Sequence, residues 1–289
     1  EEFMSDLHAI NEAINKRAGR KLIPSIAVGL LLLAIIFSTM AFVPELFALF
    51  VGIAVLIALR ELTSAFRSRD IETNYLHLSI ATALVLVSAW VGGLPGLSVS
   101  IVIGLISILF FVLLKGTDGF IKNATASAFA LMYPGFVAGF IFLLARSGEG
   151  FSYIATLVIL VGCNDTFAYI SGVLIGKHPL APKISPKKTI EGLIGSLIFT
   201  IIGGALAFVY IMDSHWWLGA LAGVITVFTA TSGDLIESAL KRDMAIKDMG
   251  NLLPGHGGIM DRLDSVLFAA PALWLALEVV RRAQDSGLL

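Results

Sequence analysis

The chain alternates between long apolar runs and short clusters of proline, glycine and charge. A helix needs about 20 apolar residues to cross a bilayer. Breaking the sequence at those clusters gives about nine runs near that length, at 23–43, 45–60, 77–94, 96–114, 124–145, 152–175, 190–211, 216–234 and 264–281. Pro44 and Glu45 split what would otherwise be one run, because proline ends a helix and a bare carboxylate is costly in lipid. The pattern therefore predicts an all-α polytopic membrane protein with about nine transmembrane helices. Its regions are a polar lead at 1–22, an N-terminal block of about five spans at 23–150, and a C-terminal block of about four spans at 151–289. Two polar loops, 176–189 and 235–263, interrupt the second block and are the natural place for chemistry.

Composition agrees. Of the 289 residues 57% are hydrophobic and 14% charged, and the mean hydropathy is +0.90. A soluble domain carries about 25% charged residues. One cysteine, Cys163, excludes an intramolecular disulfide and a cysteine zinc cluster. The net charge of −1 is uninformative, but its distribution is not. With nine spans, 17 of the 20 basic residues fall on one side. They are Lys16, Arg17, Arg20 and Lys21, then Arg60, Arg67 and Arg69, then Lys115 and Lys122, then Lys177, Lys183, Lys187 and Lys188, and finally Lys241, Arg242, Lys247 and Arg262. The positive-inside rule puts that side, with the N-terminus and both polar loops, in the cytoplasm. The other side holds Arg146, Arg281 and Arg282, with Trp216 and Trp217 as interfacial anchors. No nucleic-acid partner is expected.

Three stretches carry the polar chemistry. In "LVILVGCNDTFAYISGVLIGKH", Asp165 lies ten residues from the end of its run, about 15 Å deep. A carboxylate there must face a wet cavity, a cation or another polar helix. Gly172 and Gly176 form a small-xxx-small pair suited to close helix packing. In "KISPKKTIEG", Ser185 and Pro186 read as an N-cap with proline at the first helical position. Lys187 and Lys188 would then sit in a helical first turn whose amides accept a phosphate. The third stretch, 232–265, has six acids and four bases. Continued as a helix, it lines Asp234, Glu237, Ser238 and Lys241 along one face. Asp261 and Asp264 are three apart and point the same way. Converging carboxylates repel unless a cation binds, and oxygen-only ligands suit magnesium, manganese or calcium rather than zinc. Gly257 and Gly258 free backbone amides for an anion nest, with Lys241, Arg242 and Arg262 beside it. His256 read alone is a turn residue. Acids for a metal interleaved with bases for phosphate point to phosphoryl transfer chemistry.

The stretch "SALKRDMAIKDMGNLLPGHGGIMDRLD", 238–264, resembles the signature of phosphatidate cytidylyltransferases, the CDP-diacylglycerol synthases. "NDTFAYISGVLIGK" and "KISPKKTIEG" resemble that family's other marked stretches, in the same order. The resemblance covers about 160–270; the earlier spans resemble the family only in hydropathy. It implies a homodimeric, multi-pass enzyme of the cell (inner or plasma) membrane, with a polar cavity open to the cytoplasm. Such an enzyme converts CTP and phosphatidic acid, a membrane lipid, into CDP-diacylglycerol and pyrophosphate, and requires a divalent cation. It implies Asp234, Asp261 and Asp264 as metal carboxylates with Asp165 nearby, and allows a second, monovalent metal such as potassium. The catalytic set on this reading is Asp261, Asp264, Lys241, Arg262 and His256. Ser185, Lys187, Lys188, Lys241, Arg242, Gly257, Gly258 and Asp165 form the substrate and phosphate site. Competing readings are a CTP-dependent polyprenol- or phytol-type lipid kinase and, outside enzymes, a cation or phosphate transporter.

Overall fold

The structure is a computed structural model and describes residues 22–252 and 257–286. Lys16, Arg17, Arg20, Lys21 and His256, named above, lie outside the described residues. The chain forms α1 (Leu22–Phe42), α2 (Pro44–Arg67) and α3 (Tyr75–Leu113). Next come α4 (Phe120–Ala130), a π-helical turn (Leu131–Phe136) and α5 (Val137–Ala145). The C-terminal block is α6 (Gly150–Ile175), a small hairpin of β1 (Pro179–Ala181) and β2 (Ser185–Thr189), α7 (Ile190–Tyr210), α8 (Trp216–Asp243) and α9 (Met260–Asp285). Among the described residues seven helical stretches are long and apolar enough to cross a membrane: α2, α3, the α4–α5 rod, α6, α7, α8 and α9. The all-α membrane architecture expected from hydropathy is therefore present.

A straight helix of the length of α3, 39 residues, would be about 58 Å long, nearly twice the hydrocarbon thickness. It does not run straight. Gly93 has φ 62° and ψ −148°, which no helix accommodates. The His77 ring stacks on Phe111 at 4.7 Å, and His77 Nε2 lies 3.2 Å from Ser107 Oγ. Thirty residues of straight helix would hold His77 and Ser107 about 45 Å apart. So α3 is a hairpin of two limbs folded at Gly93, and Pro95 opens the second limb, where a missing N–H costs nothing. Arg146 closes the bend from the end of α5. Its Nε donates to Trp90 O at 2.7 Å and its Nη2 to Val91 O at 3.4 Å, satisfying carbonyls at the end of the first limb.

The α4–α5 rod is the most enclosed element, with Leu131, Tyr133 and the whole run Ala138–Ala145 buried. Helices α3 and α9 pack against it most closely, and α6, α7, α8 and α9 pack as successive neighbours. Backbone-to-backbone contact sets their spacing. A Cβ on Gly219 of α8 would strike the backbone of Gly204 in α7 and come within 2.8 Å of Phe208 Cβ. Gly172 of α6 packs on the start of α7, where an added Cβ would stand 3.2 Å from Thr189 Oγ1. These small-residue contacts replace the hydrophobic drive that lipid cannot supply.

One local expectation is corrected. Ser185 is not an N-cap, and Lys187 and Lys188 are not in a helical turn. Residues 185–189 form β2, paired antiparallel with β1. A residue before proline is pushed to extended backbone, and Pro186 tolerates an edge strand as readily as a first helical turn. The cap of α7 is Thr189, whose Oγ1 accepts from Gly192 N at 3.1 Å. Thr189→Ala should accordingly lower stability by about 1 kcal/mol, while Ser185→Ala leaves it within about 0.5 kcal/mol. Thermal unfolding of the detergent-solubilised protein would measure both; equal losses would contradict this cap.

Candidate active site

The site begins where α8 and α9 touch. A Cβ on Gly233 would strike Asp264 O and lie 2.9 Å from Phe268 Cδ2. Only a glycine lets the helices approach this closely, and the approach carries Asp234 of α8 up to Asp264 of α9. Asp264 is buried, at 9% exposure, and its Oδ1 accepts from Ser265 N at 2.7 Å. Ser265 Oγ reaches across to Asp165 Oδ1 of α6 at 3.4 Å. The same oxygen of Asp165 accepts from Asn164 Nδ2 at 2.9 Å, and the buried Ser196 of α7 donates to Asn164 Oδ1 at 2.6 Å. A chain of hydrogen bonds thus aims Asp165 from behind.

Asp165, Asp234 and Asp264 lie close enough to feel one another's charge. Asp165 is also solvent-accessible, although ten residues of helix separate it from the end of α6. Lys188 reaches in from β2 and ion-pairs with Asp234, which also accepts weakly from Ser238 Oγ at 3.5 Å. The rings of Phe129, Tyr133 and Phe268 follow one another in tilted contact, with centroids 5.3 and 5.6 Å apart.

A second cluster lies toward the end of α8. Lys241 Nζ pairs with the fully buried Glu237 on its own helix and with Asp261 Oδ1 at 2.8 Å. The other Asp261 oxygen accepts from Met249 N at 3.0 Å and Gly258 N at 2.8 Å. Asp261 and Asp264, expected on one face, therefore have separate partners: Asp261 closes the loop around Lys241, and Asp264 joins Asp165 and Asp234. The Gly258 amide, expected to face phosphate, is directed at Asp261, and Gly257 takes the left-handed φ of 79° that the turn requires. Arg262 follows on the same turn, partly buried and engaged. Arg242 is exposed and holds the β-hairpin by donating from Nε to Ile184 O at 3.3 Å. Lys187 is exposed on β2. Among the described residues no three acidic, histidine or cysteine side chains are gathered tightly enough to hold a metal ion as they stand.

Sequence reasoning missed Glu61, near the end of α2. Its Oε1 accepts from Ile259 N at 3.1 Å and its Oε2 from Met260 N at 2.9 Å, across nearly 200 residues. The available signal was a carboxylate within an apolar run, which marks a functional position by default. Ending the second span at residue 60 turned Glu61 into a loop acid. No sequence signal identifies Ser196 or Ser265 as partners in the Asp165 chain.

The profile of the cytidylyltransferase family matches residues 24–280. The chain is 35% identical over 277 residues to a phosphatidate cytidylyltransferase of Mycobacterium bovis, covering 91% of this chain and 90% of the relative. It is 35% identical over 280 residues to one from Mycobacterium leprae, covering 91% and 90%. A Staphylococcus aureus protein of the same name is 37% identical over 235 residues, covering 79% of this chain and 88% of the relative.

Among the described residues Lys241 is the lysine shared by two acids, which gives it a measurable role. Lys241→Met should destabilise the protein by about 3 kcal/mol, since Glu237 and Asp261 would be left facing each other. Adding Glu237→Gln to that variant should recover part of the loss, as seen in a double-mutant comparison of thermal midpoints. Simple additivity of the two changes would refute the shared pairing.

Proposed function

Because the chain belongs to the cytidylyltransferase family, we propose that it is a phosphatidate cytidylyltransferase, converting CTP and phosphatidic acid to CDP-diacylglycerol and pyrophosphate. The observation that carries the reading is the convergence of Asp165, Asp234 and Asp264 from three membrane-spanning helices, with Lys188 and Lys241 set among the acids. A cleft inside a helical bundle suits a substrate whose phosphate must meet a nucleotide while its acyl chains stay in lipid. We include in the proposal nine crossings, which the folding of α3 into two limbs supports, each limb being about 27–30 Å long. The N-terminus and the cleft face the cytoplasm, on the basic side of the charge partition. The enzyme sits in the cell membrane as a homodimer.

The chemistry demands charge management more than proton transfer. A phosphate monoester with a second pKa near 6 is largely ionised at neutral pH, so its oxygen attacks the α-phosphorus without a strong base, and pyrophosphate departs. Lys188 and Lys241, with Lys187, Arg242 and Arg262, hold the two polyanions and receive the charge that moves to the leaving group; His256 joins this set by its place in the sequence alone. Ser185 belongs to the same hairpin and positions Lys187 and Lys188.

A divalent cation fits the donor set, which is oxygen-only. Magnesium binds through one or two carboxylates and keeps several waters, so a closed protein cage is not needed. Asp234 and Asp264 are the residues that would hold it, with Asp165 beside them and Asp261 one turn away; a potassium ion would be a second occupant of the same acids. When bound, the divalent ion neutralises the phosphates and lets two anions approach.

The test is incubation of the purified protein with labelled CTP, phosphatidic acid and magnesium. The expected products are CDP-lipid and pyrophosphate, and Asp264→Asn should cut turnover by at least about a hundredfold with the protein still folded in detergent. Asp261→Asn should also lose activity, through release of Lys241 and the 249–258 loop. Formation of a lipid phosphate and CDP would identify a lipid kinase instead. Near-normal activity of Asp264→Asn would remove this aspartate from the site.

A further inference from the structure

The start of α9 presents a problem that its own sequence does not solve. The first amides of a helix have no intrahelical partners. In a capping box the N-cap side chain bonds one of them, while an acid at N3 reaches back to another. Here Asp261, the second helical residue, accepts instead from Gly258 N at 2.8 Å, the amide before the capping position. The capping position itself is Ile259, whose side chain has no acceptor. Glu61 of α2 supplies one. Each of its two oxygens takes a different amide, Ile259 N at 3.1 Å and Met260 N at 2.9 Å. A carboxylate also complements the positive end of the helix dipole.

The fit is close on both sides. A Cβ on Gly258 would come 2.7 Å from Glu61 Cδ, and one on Gly250 would come 2.8 Å from Glu61 Cγ. Gly250 and Gly258, both in the connection that precedes α9, thus make room for this one carboxylate. Glu61 touches neither Asp264 nor Lys241, yet it fixes the turn on which Asp261 sits and from which Asp264 follows.

We infer that Glu61 is a positioning residue, a cap supplied from the N-terminal block that sets the register of Asp261 and Asp264 for turnover. The inference rests on the cytidylyltransferase reading. It predicts that both oxygens matter, so an isosteric amide is not a substitute: Gln has one acceptor and would point an NH2 at the other helix amide. Glu61→Gln should lower kcat by about tenfold to a hundredfold. The KM for CTP should stay within about twofold and the thermal midpoint close to that of the unaltered protein, and Glu61→Ala should lose at least as much activity. The unaltered protein is assayed in parallel. If it makes no CDP-lipid, the functional reading fails. If it is active and Glu61→Gln matches its kcat, or loses activity only in proportion to folded, monodisperse protein, the positioning role is overturned.

Discussion

The cost of placing carboxylates inside a bundle that crosses lipid governs the C-terminal half of this protein. A single acid at such depth must be paired, hydrated or metal-bound. Here Asp165, Asp234, Glu237, Asp261 and Asp264 come from three helices, and the lysines that reach them are Lys188 and Lys241. Acids outnumber these two lysines. A substrate carrying phosphates aggravates that balance unless it arrives with a cation.

Packing serves that arrangement. Polar groups on neighbouring helices meet only when the backbones are close, and lipid provides no hydrophobic force to press them together. Glycine solves this at Gly233, where α8 lies against the Asp264 carbonyl, and at Gly204 and Gly219, where α7 meets α8. The β-hairpin has a different task. As a strand, β2 can carry Lys188 over the end of α8 to Asp234, a direction that a first turn of α7 would not give it.

Much of this was legible in the sequence because membrane spans and membrane acids are both strong signals. Hydropathy located the helices, and the buried depth of Asp165 identified it before any geometry was known. The i, i+3 spacing of Asp261 and Asp264 suggested a shared role, but spacing gives direction on a helix and not the identity of partners. Asp261 lies at the helix start, where free amides compete for it, so it serves the loop while Asp264 joins the group of Asp165 and Asp234. Ser185–Pro186 failed as a helix start because both residues fit an extended strand equally well. Glu61 was lost because the second run was ended one residue before it, and its partners could not have restored it, since backbone amides far along the chain leave no trace in sequence.

That last case bears on how the protein is divided. The polar stretches all lie after residue 160, which suggests a catalytic half attached to a passive membrane anchor. The contacts argue otherwise. Glu61 of α2 completes the start of α9, and Arg69 beyond α2 donates from Nη2 to Asp243 O at 2.6 Å, at the end of α8. Lys122 in turn holds the carbonyls of Arg69 and Asp70 at 3.1 and 3.0 Å. Both ends of the polar loop between α8 and α9 are therefore tied to the N-terminal helices. A loop that closes on itself through Asp261 and Lys241 still needs an external frame to fix where it sits, because each hydrogen bond within it moves with it. The N-terminal block is that frame, and this gives a physical reason for the family match to extend over residues 24–280 rather than over the polar stretches alone.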